Sequence, residues 1–212
     1  MNEIGTDAAA IAESLVDPVA FSRVFDRHFV EIHAYVQRRL GTRLADRVAE
    51  RTFVEAFRER DTYERRGHGP DARPWLYGIA TRLVGCHSRR EIRNLRAYAR
   101  RGPSLSGDAP MAAQERRAPS AARRNLARGI AKLDPGGRDT LLLGAWAGLE
   151  QDGLARALGC ENGEAAARLA EAHRRVAELA AGEPTGIPQS TPAKTKAAAS
   201  GGASKRVEQE AG

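Results

Sequence analysis

The 212-residue sequence contains two cysteines, Cys86 and Cys160, far apart in the chain. That number excludes a disulfide framework and a cysteine-based zinc site. No stretch approaches the ~18 consecutive apolar residues of a membrane span. The opening Met1-Asn2-Glu3-Ile4-Gly5 lacks the basic-then-apolar pattern of a secretory leader. A cytoplasmic protein with no membrane insertion is therefore expected. There is no Gly-rich phosphate loop, no nucleophile elbow and no metal-spaced His/Cys cluster. His28 and His33 are five residues apart, on different faces of a helix rather than at the i, i+4 spacing of a zinc helix. These absences argue against an enzyme and against any metal or cofactor. β-branched and alternating stretches are scarce, which disfavours strands.

What the sequence does have is positive charge of one kind. Lys+Arg total 34 against 27 Asp+Glu, a formal charge of +7. Only four of the cations are Lys, and three of these (Lys194, Lys196, Lys205) lie in the last twenty residues. Arginine grips phosphates in a bidentate fork, so this balance suits a polyanionic partner. A GC-rich coding sequence would also enrich Arg and Ala, and composition alone leaves both readings open.

Helical periodicity organises the chain. Apolar residues from Val19 to Leu40 recur every three or four positions, with Asp17-Pro18 as a start signal and Gly41 as a stop. A second helix is predicted from about Leu44 to Arg60, then a polar loop from Asp61 to Arg73 containing Gly67, Gly69 and Pro70. A third amphipathic stretch runs from about Arg73 to Tyr98, with Trp75 read as a core residue. Between 82 and 101 there are seven Arg against one acid, Glu91. Such density repels itself without a partner, and a track for DNA phosphates is the better reading. Residues 101–120, rich in Gly, Pro and Ser, are expected to be a flexible linker. Helices are predicted again at about 121–132, 136–147, 150–158 and 162–181. Residues 182–212 offer almost nothing to bury, and a disordered tail is expected there.

Asp152–Leu158, the turn Gly159-Cys160-Glu161 and Asn162–Ala180 form a helix-turn-helix pattern, whose second helix can enter a major groove. The order of further pieces is more specific. Phe25-Asp26-Arg27-His28-Phe29, Tyr35-Val36-Gln37-Arg38-Arg39-Leu40-Gly41 and Glu50-Arg51-Thr52-Phe53 come first, followed by Arg73-Pro74-Trp75-Leu76-Tyr77. Leu133-Asp134-Pro135 and Trp146-Ala147-Gly148-Leu149 then lead into Leu154-Ala155-Arg156-Ala157-Leu158-Gly159. Over about Asp17 to Leu179 this series resembles the extracytoplasmic-function class of bacterial RNA polymerase sigma factors. The resemblance implies an all-α protein of two small helical domains. Residues 1–100 would be a sigma region 2-like bundle for polymerase and the −10 element. Residues 121–181 would be a region 4-like helix-turn-helix for the −35 element.

The resemblance also implies partners: core RNA polymerase through its β′ clamp, promoter DNA and an anti-sigma factor. Arg47, Val48, Glu50, Arg51 and Phe53 fall on the polymerase-binding helix. Tyr63, Arg65, Arg66 and His68 fall in the loop that captures a base flipped from the −10 strand; which of them lines the pocket is not readable from sequence. Arg82, Arg89, Arg90, Arg93 and Arg96 would hold that strand's phosphates. Asn162, Glu164, Arg168, His173, Arg174 and Arg175 lie on the candidate −35 helix. The chain also departs from the family pattern. Arg47 and Arg51 stand where acids are usual, and Glu164, Ala166 and Ala167 stand where a hydroxyl, a cation and a hydroxyl are usual. Glu161–Ala181 carries four Glu and three Arg, a poor field for groove reading. A divergent initiation factor with a reduced or altered −35 contact is expected. The rival readings are a degenerate relative that no longer initiates and an ordinary helix-turn-helix regulator.

Overall fold

The computed structural model describes residues 5–64, 67–101 and 121–181. The expected linker and tail therefore lie outside the described residues, except for Arg101 at the end of a helix. Among the described residues there are nine α-helices and no strand. They are α1 (Asp7–Glu13), α2 (Ser22–Leu40), α3 (Thr42–Glu59), α4 (Arg73–Gly85), α5 (Ser88–Arg101), α6 (Ala121–Lys132), α7 (Pro135–Ala147), α8 (Gln151–Leu158) and α9 (Asn162–Ala181).

Local chemistry accounts for most of the boundaries. The Asp17 side chain accepts from Val19 N at 3.1 Å, and Pro18 opens a short 3₁₀ turn ahead of α2. Gly41, at φ 82°, ends α2 and starts α3 almost at once. Asp134 caps α7 by accepting from Gly137 N at 3.0 Å, with Pro135 in the first turn. Gly159, at φ 66°, closes α8 and turns the chain into α9.

Two features differ from the sequence expectation. The stretch expected to be one helix over 73–98 is two, broken at Cys86-His87. There the 3₁₀-type bonds Cys86 N to Leu83 O (3.2 Å) and His87 N to Val84 O (2.8 Å) tighten the last turn and let α5 set off in a new direction. The additional helix α1 precedes the first expected one. Ala10 and Ile11 bury its inner face in the core, and Asp7 ties it to its neighbours: the carboxylate accepts from Arg27 Nη1 (2.8 Å) and from Ala72 N (3.0 Å), and it pairs with His28 Nε2 (2.7 Å). His28 Nδ1 in turn meets Glu31 at 2.7 Å.

Helices α1–α5 lie within 1–100 apart from Arg101, and α6–α9 within 121–181. The two groups share a core. Val24, Ile32, Val36, Leu76 and Ile79 from the first join Leu143, Leu154 and Ala165 from the second in one buried cluster. Each of the Val, Leu and Ile side chains contributes about 1.5–3 kcal/mol by leaving water. Ile130, Leu142, Ala172 and Val176 form a second cluster between α6, α7 and α9. Here α6 crosses α9 so closely that a Cβ on Gly129 would lie 2.9 Å from the Val176 carbonyl oxygen.

Two predictions follow from this packing. Burial would lower the pKa of His28, but its bonds to Asp7 and Glu31 outweigh that and push it up from 6.5 to about 9. The stability this supplies is complete below the unfolded value of 6.5 and is lost as pH rises through about 9. The thermal midpoint should therefore fall between those limits in the wild type. It should be flat in His28→Gln, which loses on the order of 2 kcal/mol at pH 6. Gly129→Ala should cost roughly 1–3 kcal/mol in denaturant unfolding despite alanine's better helix propensity, because the obstacle is backbone.

Candidate nucleic-acid interface

The inner face of α5 carries Glu91 and Ala99, both buried, with Leu95 packed against the second core cluster. Arg89, Arg93, Arg96 and Arg100 recur on the opposite face at i, i+4, i+7 and i+11, all exposed. This is the geometry of a cationic rail about three turns long. Arg82 is exposed on α4 and pairs with Glu59 at 2.8 Å. Arg90 does not join the rail. It is half-buried, and its Nε donates to the Leu40 carbonyl at 3.0 Å, which satisfies the C-terminus of α2. Sequence spacing counted Arg90 as a phosphate contact; its position makes it a helix cap.

The loop between α3 and α4 is built on aromatics. Tyr63 is 1% exposed and donates its hydroxyl to Gly69 O at 2.8 Å. Its ring lies 4.9 Å from Trp75 and 5.2 Å from half-buried His68. Tyr63 is thus a strut beneath the loop, its ring packed rather than exposed. Burial raises its pKa above the ordinary phenol range. Trp75 is core, as expected. Arg65 and Arg66 lie outside the described residues. From the second helical group, Arg156 on α8 reaches the same loop and donates through Nη1 to the His68 carbonyl at 2.7 Å.

On α3, the candidate polymerase face divides. Arg47, Glu50 and Arg51 are exposed, and Arg51 pairs with Glu55 one turn on. Val48 and Phe53, each 4% exposed, point into the core, because Ala45, Val48, Ala49, Thr52, Phe53 and Ala56 make up the buried stripe of the helix. Of the residues expected on the polymerase-binding helix, these two therefore face inward. The apolar surface that does reach solvent is Val54 with Phe25, bordered by half-buried Phe57 and buried Phe21. These open a groove of about 340 Å³ between α2 and α3, with Phe53 lying alongside Phe25 at 5.0 Å.

On α9, the buried positions Ala165, Ala172 and Val176 pack inward. Asn162, Glu164, Arg168, His173, Arg174 and Arg175 are all exposed. The three arginines are occupied within the helix. Arg168 meets Glu164 at 2.5 Å, Arg174 bonds both Glu171 and Glu178, and Arg175 meets Glu171 at 3.1 Å. Hydrogen bonds from Arg174 and Arg175 hold the Glu171 carboxyl below its usual range.

Sequence reading missed a buried ionic network. Arg39 on α2 donates to Glu91 on α5 at 2.6 Å, to Tyr35 at 2.8 Å and to Asp139 on α7. Arg138 completes it, bonding Glu91 at 3.1 Å and the Leu133 carbonyl at 3.0 Å. The Tyr35 hydroxyl also meets Thr81 at 2.8 Å. Burial opposes the charge on Arg39, but Tyr35, Glu91 and Asp139 more than restore it and raise its pKa. The pattern that might have revealed Arg39 is its place three residues after Val36 on the apolar face of α2. As a metal site, Asp7, His28 and Asp71 bring ligand atoms within 4.8 Å of one another. Arg27 and Ala72 N already occupy Asp7, so the chemistry there is that of a charge-balanced hydrogen-bond cluster.

No family model matches the sequence, and no curated protein matches it. Solved structures do. CnrH, in its complex with the cytosolic domain of CnrY, superposes with a TM-score of 0.54 at 22% identity, over 82% of this chain and 96% of that one. The sigma factor RpoE of Bartonella quintana, in complex with the anti-sigma factor NepR, gives 0.48 at 16% identity, over 75% and 95%. The match takes in nearly the whole length of CnrH, so this chain has the fold of an extracytoplasmic-function sigma factor.

Proposed function

We propose that this protein is a bacterial transcription initiation factor. It binds core RNA polymerase in the cytoplasm, directs it to promoters, and opens the −10 element with its first helical group. It is not an enzyme, and it works without a cofactor. The observation that carries this reading is the rail of Arg89, Arg93, Arg96 and Arg100 on one exposed face of α5. An unopposed row of guanidinium groups suits the phosphates of a separated strand. His68 and the unplaced Arg65 and Arg66 belong to the same loop. The groove at Phe25, Val54 and Phe57, flanked by Arg47, Glu50 and Arg51, is the proposed contact with the polymerase clamp. The CnrY and NepR complexes support an anti-sigma factor as a further partner.

The −35 contact is weak in this reading. Arg168, Arg174 and Arg175 must each give up a glutamate before meeting DNA, which removes much of the field that favours a phosphate or base edge. The same observation favours the rival reading, a degenerate relative that no longer initiates. Run-off transcription with purified core polymerase separates the two: an initiation factor makes discrete transcripts, whereas the degenerate relative makes none.

Further outcomes are expected if initiation is observed. Replacing Arg89, Arg93 and Arg96 together by Ala should lower the slope of log affinity against log salt for promoter DNA by about 2 to 3, as loss of three phosphate contacts requires. Replacing Arg168, Arg174 and Arg175 should change promoter output less than the α5 triple substitution does. Val54→Glu should weaken co-purification with core polymerase while changing thermal stability by no more than about 1 kcal/mol, since the side chain is 43% exposed.

A further inference from the structure

We infer that the groove between α2 and α3 takes an acidic amphipathic helix of the polymerase clamp, chosen by a row of arginines that runs beside it; this deepens the proposed function and rests on it. Arg43, Arg47, Arg51 and Arg58 are all exposed on α3, with Val54 among them. Steps of three or four residues keep the five within about 80° of the helix circumference, at roughly 100° per residue. The row is about 22 Å long at a rise of 1.5 Å per residue. It borders the groove directly, since Val54 and Arg58 also line that cavity.

By sequence α3 is neutral, with four Arg against four acids, and only the folded arrangement makes one face cationic. Asp46 meets His33 on α2 at 2.8 Å, and Glu59 meets Arg82 on α4 at 2.8 Å. Half-buried Glu55 serves Arg51 and Arg58 together, one carboxylate shared by two guanidinium groups. Glu50 stands at the edge of the groove. Among the described residues, no acid pairs with Arg43 or Arg47.

The groove and the row set two requirements for one partner. Phe25 and Val54 are left in water, and burying them takes apolar side chains, whereas the arginines take carboxylates or phosphates. A nucleic-acid strand meets only the second requirement. Phe25 already stacks on Phe29 at 4.8 Å and packs edge-on with Phe53 at 5.0 Å, and Val54 has no flat face for a base. A helix with apolar residues at i, i+3 or i+4, and i+7, and with acids on its flank, meets both. Matched charge speeds encounter with such a helix and rejects one presenting Lys or Arg, because like charges set opposite each other repel. Arg43, Arg47, Arg51 and Arg58 therefore decide which polymerase clamp this chain accepts.

The full chain and purified core polymerase supply the test. Arg47→Glu combined with Arg51→Glu should weaken association about tenfold at low salt, chiefly through a slower on-rate. Arg43→Gln combined with Arg47→Gln should weaken it less, and it serves as the readout if the charge reversal loses helix content by circular dichroism. A peptide of about 18 residues, with Leu at i, i+3, i+4 and i+7 and Glu on both flanks, should compete with polymerase for the wild type. The same peptide with Lys in place of Glu should not, and the charge-reversed variant should invert that preference. Association that both arginine variants leave unchanged overturns the inference, as does equal competition by the two peptides. Loss of single-stranded DNA binding in the Arg43 and Arg47 variant, with polymerase association intact, overturns it too by making the row a phosphate surface. Each of these outcomes leaves initiation by the wild type, and with it the proposed function, standing. A wild type that neither binds polymerase nor starts transcripts sinks both.

Discussion

Two arginines and a glutamate with almost no solvent exposure sit where α2, α5 and α7 meet, and the arrangement of the helices depends on their staying paired. A lone guanidinium at Arg39 or Arg138 would be untenable there, and removing one partner of such a pair typically costs about 3–5 kcal/mol. Glu91 satisfies both, one through each carboxylate oxygen, while Asp139 and Tyr35 take the remaining donors of Arg39. Hydrophobic burial alone would allow the two helical groups to slide on each other. Fixed hydrogen-bond directions from planar guanidinium groups set one relative orientation. That orientation leaves the α5 rail facing solvent.

A smaller version of the same device organises the other end of the molecule. Asp7 binds Arg27, His28 and the backbone N–H that opens α4, so α1 is tied to the loop on which the proposed strand contact depends. The loop is stiffened from below by Tyr63 and Trp75 and from outside by Arg156. Its aromatic residues therefore shape the backbone around it, and the groups left for nucleic acid are chiefly the cations.

The charges on α9 contrast with those on α5. On α5 the four exposed arginines face one way and the one acid, Glu91, is buried on the opposite face. On α9 each exposed arginine has a glutamate one turn away. A few exposed arginines on one helix can thus make either a surface that attracts phosphate or one that is internally neutral, according to where the acids lie. The proposed division of labour, with strong contact by the first helical group and weak contact by the second, follows from that placement.

Local signals determined much of the chain by themselves. Gly41, Asp134-Pro135 and Gly159 end or begin helices through caps that involve only nearby residues, and these boundaries were legible in sequence. So was the cationic face of α5, because helical periodicity fixes which arginines align. Tertiary structure decided the rest. Val48 and Phe53 proved to be core, because which apolar stripe turns inward depends on the partner helices. Tyr63 became a strut and Arg90 a cap through contacts with Gly69 and Leu40, six and fifty residues away. The pairing of Arg39 with Glu91 and Asp139 spans 52 and 100 positions, and no local pattern encodes an ion pair that exists only once distant helices have excluded water between them.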